Sequence, residues 1–233
     1  MRRFWLILAM FLGLAATSAP AMADIQYTLN CSGNPCTGGS GGHNYGTVTL
    51  KQLGAGTVGN PYHVQVTVAL AAGEVFLTTG NGHSGFTWNL LGSGNPSSIT
   101  ITSGNASLFN TPSTTAGSHA NSPFSDFEYN ISNIDTHGNG GIAGPLVFDI
   151  KKTGGLVLTN TLFSPNADGF FFAADIGQGC TLHDGKWNCA STGAVASNLR
   201  IPEPGTMSLS ITALAALVGL VMLQRRRKLV SAA

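Results

Sequence analysis

The stretch 63-HVQVTVAL-70 decides the fold class of this 233-residue chain, because its side chains alternate without a break. One set is apolar and the other is mostly polar: Val64, Val66, Val68 and Leu70 against His63, Gln65, Thr67 and Ala69. A period of two residues is typical of a half-buried β-strand and not of a helix. The stretch therefore predicts a strand with one face in a core.

Shorter segments of the same kind lie on both sides of this strand, at 45–50, 85–90, 98–102, 126–131, 145–150, 155–159 and 169–175. Gly-, Ser-, Thr- or Asn-rich connectors at 37–42, 92–97, 113–122 and 138–144 supply turns between them. No amphipathic helical pattern of useful length occurs in this region. The pattern predicts an all-β protein with a single antiparallel β-sandwich, jelly-roll-like, spanning residues 24–200.

The N-terminus has the three parts of a signal peptide. Arg2 and Arg3 precede an apolar run at 4–16, and Ala21 and Ala23 are small residues of the kind that signal peptidase accepts at its cleavage site. We predict a signal peptide at 1–23, cleaved after Ala23. The alternative is an uncleaved membrane helix, which the short run disfavours because a span needs about 20 residues.

The C-terminus, 201–228, also has three parts. The motif Pro202-Glu203-Pro204-Gly205 precedes an uncharged, mostly apolar stretch at 207–223, and the basic cluster Arg225, Arg226, Arg227 and Lys228 follows it. Prolines favour an extended strip, and the apolar stretch is just long enough to cross a bilayer. Because basic residues stay on the cytoplasmic side, the order predicts that residues 24–201 lie outside.

This tail resembles the PEP-CTERM sorting domain, whose motif, transmembrane helix and basic cluster are recognised by exosortase enzymes in Gram-negative bacteria. The resemblance implies that exosortase reads Pro202, Glu203, Pro204 and Gly205, removes the helix and delivers the body to the cell surface or exopolysaccharide. The alternative is a tail anchor that is never cut. Three phrases, 45–50, 78–82 and 171–176, resemble other PEP-CTERM proteins more loosely and imply an uncharacterised β-rich body.

Charge separates the body from its two ends. Residues 24–204 hold five basic and ten acidic residues, a net charge of −5. An acidic body argues against nucleic acid as a partner, because nucleic-acid binding needs Lys and Arg to displace phosphate counterions. The same balance argues against electrostatic adhesion to anionic lipid.

The four cysteines are an even set in a chain predicted to be exported, which favours disulfides. Local pairing, Cys31 with Cys36 and Cys180 with Cys189, needs no long-range topology, whereas crossed pairs would tie the start of the domain to its end. A zinc site at Cys180, His183 and Cys189 lacks a clear fourth ligand. We therefore predict no metal site and no cofactor.

Two further features are weaker candidates for ligand binding. Residues 135–140 begin like a calcium loop, but His137 replaces an oxygen ligand and Leu146 stands where a closing Glu is required, so a turn is favoured. Trp187 lies in a polar segment between two cysteines and is a candidate sugar contact. Trp88, in contrast, is predicted to be core.

The sequence leaves two classes of function open. The preferred class is a secreted, non-catalytic structural or binding protein of the exopolysaccharide or biofilm matrix. The alternative is a secreted polysaccharide-acting hydrolase, which needs two carboxylates in suitable geometry. Asp126 and Glu128 are the only local pair to consider, and their alternation with Phe127 and Tyr129 already fits a solvated strand face.

Overall fold

The computed structural model describes residues 24–32, 43–80, 83–92, 94–134 and 141–197, and the backbone of residues 200–201. The predicted signal peptide, the sorting motif, the apolar stretch, the basic cluster and Cys36 lie outside the described residues. Within the described residues, no helix is long and apolar enough to cross a membrane.

The described chain is all-β, apart from one short 3-10 helix at Ala106–Leu108. In chain order its strands are β1 (Ile25–Leu29), β2 (Cys31–Ser32), β3 (Gly46–Leu53), β4 (His63–Leu70), β5 (Val75–Phe76), β6 (Phe86–Trp88), β7 (Ser98–Ile101), β8 (His119–Ala120), β9 (Asp126–Phe127), β10 (Tyr129–Ile131), β11 (Ile142–Ala143), β12 (Leu146–Lys151), β13 (Phe172–Gln178), β14 (Thr181–His183), β15 (Lys186–Asn188), β16 (Ser191–Ser197) and β17 (Arg200–Ile201).

These strands form two large sheets in which all the pairs are antiparallel. The first sheet has the order β17-β1-β3-β4-β12-β7. The second has the order β10-β6-β13-β16-β2, with β5 pairing both β13 and β11. Two small hairpins, β14-β15 and β8-β9, stand apart from the large sheets.

The two sheets share one hydrophobic core, which holds residues of both in a single cluster. Phe148 of the first sheet contacts Trp88 and Phe86 of the second, with ring centroids 4.9 and 6.0 Å apart. Tyr27 of the first sheet meets Phe172 of the second edge-to-face at 4.9 Å. This packing confirms the all-β class and is consistent with the predicted β-sandwich.

Strand β13 is buried on both faces. Phe172, Ala174 and Ile176 enter the shared core, whereas Ala173 packs in a second cluster that includes Phe124, Phe127 and Phe170. That second cluster and the loops beside it cover the outer face of the second sheet. A strand enclosed in this way has no face toward solvent, which explains why the sequence around 171–176 does not alternate.

The structure bears out several of the predicted strands and corrects others. The strand at 63–70 is confirmed, and 45–50 becomes β3, which extends to Leu53. The segment 126–131 is interrupted at Glu128, and the connectors 113–122 and 138–144 contain β8 and β11. The predicted strand at 155–159 is wrong. The Gln52 side chain, and not a strand, binds this segment, accepting from Leu158 N at 2.5 Å and donating to Leu156 O at 3.1 Å.

Candidate functional site

The first and last strands of the domain lie side by side. Strand β17 pairs with β1 through Gln26 opposite Ile201 and Tyr27 opposite Arg200. Residue 24, which follows the predicted cleavage site, and Ile201, which precedes the predicted sorting motif, are therefore at the same corner of the first sheet. Residues 202–205, 225–228, Ala21 and Ala23 themselves lie outside the described residues.

The outer face of the first sheet is broad and polar, because every inward side chain of its strands alternates with one that solvent reaches. The side chains of this outer face are Gln26, Thr28, Thr47, Thr49, Lys51, His63, Gln65, Thr67, Ala69, Ser98, Thr100, Val147, Asp149 and Lys151. Cross-strand pairing brings threonines together, with Thr49 opposite Thr67 and Thr47 opposite Thr28. The face is rich in hydroxyl and amide groups and has no aromatic ring except the His63 imidazole.

Asp149 holds the centre of this outer face. Its Oδ1 accepts a hydrogen bond from Gln65 Nε2 at 3.1 Å, and its Oδ2 lies 3.9 Å from His63 Nε2. The His63 Nδ1 in turn contacts the Pro61 carbonyl oxygen at 3.2 Å. The His63 and Asp149 side chains are both half-buried, so this carboxylate is engaged within the sheet.

Charge is distributed unevenly between this sheet and the rest of the domain. The strands of the first sheet carry three basic residues, Lys51, Lys151 and Arg200, against one acidic residue, Asp149. The described residues outside these strands include two basic and seven acidic residues. Among the described residues, neither Lys51 nor Lys151 forms an ion pair, and both are exposed. On the outer face itself, Lys51 and Lys151 exceed Asp149 by one charge, whereas the rest of the described domain is acidic.

A second polar site is buried where the chain interrupts the second sheet. Strands β5 and β6 both pair with β13, and the segment between them leaves the sheet opposite Asp175. The fully buried Asp175 carboxylate accepts hydrogen bonds from Thr79 N at 2.6 Å and Thr79 Oγ1 at 2.7 Å. The structure thus joins Thr79 to Asp175, although they lie in separate parts of the chain.

Burial raises the pKa of Asp175 above its ordinary value, and the Thr79 hydrogen bonds and nearby His83 oppose that rise without cancelling it. His83 Nδ1 lies 4.0 Å from Asp175 Oδ1, too far for a hydrogen bond, and neither atom forms one with the described residues. Ser84, the neighbour of His83, is buried, and its hydroxyl oxygen accepts from Asn130 Nδ2 at 3.1 Å. The hydroxyl is therefore held in a structural network.

The predicted carboxylate pair is not on one continuous strand face. Asp126 belongs to the β8-β9 hairpin, where its carboxylate accepts a hydrogen bond from Ser118. Glu128 lies in the break before β10, and its carboxylate accepts from Leu90 N at 3.1 Å. The two carboxylates are thus bound to different loops.

Cys180 and Cys189 form the predicted local disulfide, which excludes the crossed pairings and the zinc site. Cys31 is also disulfide-bonded. The Cys180–Cys189 bond closes the β14-β15 hairpin, where Leu182 pairs with Trp187. Trp187 is half-buried and packs against the small cluster of Val75, Leu77 and Cys180, so its ring is less available to a sugar than its polar neighbours indicate.

The structure describes only part of the candidate calcium loop, and a second turn with oxygen-bearing side chains lies at 165–169. Residues 135–140 lie outside the described residues, while Leu146 is fully buried in β12. The turn at 165–169 is organised by Asn166, whose Oδ1 accepts from the backbone nitrogens of Asp168 and Phe170. Within the described part of the chain, no three His, Cys, Asp or Glu side chains cluster as a metal site.

Sequence reasoning missed both the buried Asp175 and the charge asymmetry of the first sheet. Asp175 is a carboxylate inside an apolar run, a pattern that indicates a buried side chain with hydrogen-bonding partners. The placement of Lys51 and Lys151 on the same face of the first sheet depends on strand order and has no local signal. No family model, curated protein or solved structure matches this chain.

Proposed function

We propose that this chain is an exported protein of the cell surface or extracellular matrix, sorted by exosortase and associated with exopolysaccharide without catalysing a reaction. Its jelly-roll-like domain is flanked by a signal peptide and a C-terminal sorting helix. The protein crosses the inner membrane, passes through a membrane-anchored intermediate, and is then released to the surface.

The pairing of β1 with β17 is the observation that carries this proposal. It supports a domain that is complete between residue 24 and Ile201, with both processing sequences at one corner. Only five residues, 202–206, separate Ile201 from the apolar stretch. Five residues reach at most about 18 Å, so the anchored intermediate holds this corner close to the bilayer and to a membrane-embedded protease.

Binding fits the described geometry better than hydrolysis. The local carboxylate pair, Asp126 and Glu128, is divided between two loops with separate partners. The first sheet instead presents a wide polar surface, which suits contact with an extended polymer. A double variant, Asp126→Asn with Glu128→Gln, is expected to leave any polysaccharide turnover unchanged, because these carboxylates have structural partners.

Intact-mass analysis of protein from the host tests the sorting proposal. We expect the mass of a chain that begins at Asp24 and lacks the apolar stretch, and we expect retention of that stretch when exosortase is deleted. Glu203→Ala should block removal of the tail. Asp184→Ala, which removes a carboxylate from the exposed β14-β15 turn, should not. A tail that is retained in the host with exosortase present would contradict the proposal.

A further inference from the structure

We propose that the outer face of the first sheet is the polysaccharide-binding surface and that it takes chains bearing carboxylate groups. This inference rests on the proposed function and adds to it a surface and a ligand class. It follows from three properties of the face: access, chemistry and charge.

Access is provided along the whole face. Solvent reaches each of its side chains, with Lys51, Thr100 and Lys151 exposed and the central residues half-buried between their neighbours. With strands about 4.8 Å apart, the five strands from β1 to β7 make a surface about 20 Å wide. That width accommodates an extended polymer lying across the strands.

The chemistry of the face suits a ligand rich in hydroxyl and carboxylate groups. Threonine hydroxyls both donate and accept hydrogen bonds, and the Gln26 and Gln65 amides do the same. Gln26 Nε2 already lies 3.5 Å from Thr49 Oγ1, so these groups are close enough to bind a ligand together. The face lacks Trp, Tyr and Phe, so recognition rests on polar contacts and charge instead of ring stacking.

The charges on the outer face favour an anionic ligand, and the acidic remainder of the domain disfavours binding of that ligand elsewhere. Lys51 and Asp149 are separated by one strand, because both pair with Gln65, and Lys151 lies two residues beyond Asp149. Strand geometry places the two lysine Cα atoms about 12 Å apart. Neither lysine has an ionic partner among the described residues, while the Asp149 carboxylate is engaged by Gln65 and His63. The acidic remainder of the domain repels an anionic polymer, which directs it to this face.

Two other occupants fit less well. Nucleic-acid binders make many phosphate contacts through Lys and Arg, whereas this outer face offers two lysines. A second copy of the chain would have to bury a face of threonine and charged residues, although the buried centres of homodimer interfaces are apolar. Both remain outcomes of the test.

The test measures retention of the host-processed protein on polygalacturonate, with dextran as the neutral polymer and double-stranded DNA as the other polyanion. We expect retention on polygalacturonate that weakens from 0.15 to 0.5 M salt, and little on dextran or DNA. Lys51→Gln with Lys151→Gln should lower the affinity about five-fold, which corresponds to the summed free energies of two exposed ion pairs. Lys186→Gln, on the β14-β15 hairpin, should leave it within about two-fold, since exposed single charges contribute little.

A second pair of variants introduces repulsion without removing a lysine. Thr67→Glu places a carboxylate at the centre of the face and should abolish retention on polygalacturonate, whereas Thr181→Glu, exposed on β14, should not. Thermal unfolding of each variant shows that the fold is kept. Equal losses from Thr67→Glu and Thr181→Glu, equal retention on dextran, or stronger retention on DNA would overturn the assignment of face or ligand. So would concentration-dependent dimerisation that Thr67→Glu abolishes while wild-type protein shows no retention.

The outcome is separable from that of the sorting proposal. If the tail is not cut but the detergent-extracted full chain binds polygalacturonate through this face, the inference stands and the sorting proposal fails. If the tail is cut and the released protein does not bind, the inference fails alone.

Discussion

Thr79 donates two hydrogen bonds, from its backbone nitrogen and its hydroxyl, to the buried carboxylate of Asp175 at 2.6 and 2.7 Å. The two residues are 96 positions apart in the chain. This contact fixes the segment between β5 and β6 where it leaves the second sheet.

Replacing Thr79 with Val should lower the free energy of unfolding by about 1.5 to 3 kcal/mol. The change removes one hydrogen bond to a buried acid and keeps the side-chain shape. Urea unfolding measures the effect. Thr100→Val, on the exposed edge strand β7, is the matched control and should change stability by less than about 0.5 kcal/mol. Equal effects at the two positions would contradict a structural role for the Thr79 hydroxyl.

Asp175→Asn should change how stability depends on pH. Because burial raises the pKa of Asp175 in the folded state, the folded protein holds this proton more tightly than the unfolded chain does. The wild type therefore loses stability relative to the Asn variant as pH rises from about 4, the ordinary Asp pKa, through the raised folded value. Urea unfolding of both proteins from pH 3.5 to 7 measures this difference. A relative gain for the wild type with rising pH would show that the folded pKa is lowered instead.

Gly177→Ala should be destabilising because of the disulfide above it. A methyl group there would lie 2.7 Å from Cys180 Sγ and closer still to Cys189 Sγ, which is an overpacking of about 1 to 3 kcal/mol. Thermal or urea unfolding measures the cost. Cys180→Ala with Cys189→Ala removes this disulfide, whose cysteines are nine residues apart. The double change should itself lower the free energy of unfolding by about 2 to 3 kcal/mol.

In that double-alanine background the cost of Gly177→Ala should fall by at least half, because both sulfurs are gone. A double-mutant cycle reports this coupling directly. Additive costs would show that the disulfide does not limit the space at residue 177.

Phe148→Ala should be among the most damaging single changes, with a loss of about 3 to 5 kcal/mol, because its fully buried ring joins the two sheets. Val147→Ala, the neighbouring outward residue, should cost less than about 1 kcal/mol. Urea unfolding compares the two. Similar losses would contradict the placement of the core on the Phe148 side of β12.

The sequence predicts strands best where one face is buried and the other is wet. Strand β4 alternates from end to end, and β12 does so at Leu146, Phe148 and Ile150. Strand β1 carries the same signal at Ile25, Tyr27 and Leu29, but this short segment stands alone directly after the predicted signal peptide, without a second alternating segment beside it. A strand such as β13, which is buried on both faces, does not alternate. A prediction based on alternation therefore misplaces its ends: the predicted segment is 169–175, and the strand is Phe172–Gln178.

The candidate binding surface could be predicted only in part. Thr47, Thr49, Thr67 and Thr100 occupy outward positions of predicted strands. Thr28 lies on β1, and each lysine lies one residue beyond a predicted segment, at 45–50 and 145–150. Lys51 and Lys151 come together only because β4 lies between β3 and β12, and strand order depends on pairing over long sequence separations. At 155–159 an apolar, Gly-flanked pattern predicts a strand that does not form. The segment is instead bound by the Gln52 side chain and by a backbone hydrogen bond from Leu156 N to Tyr62 O at 2.7 Å.

The β1-β17 pairing also determines how the domain responds to mechanical load. These strands are joined through two residue pairs, so a pull on the C-terminal end meets few interstrand hydrogen bonds before β17 separates from β1. In the proposed membrane-anchored intermediate, drag on a bound polymer would load these two residue pairs first. The five remaining strands of the first sheet, which carry the proposed binding face, would stay paired if β17 separated from β1.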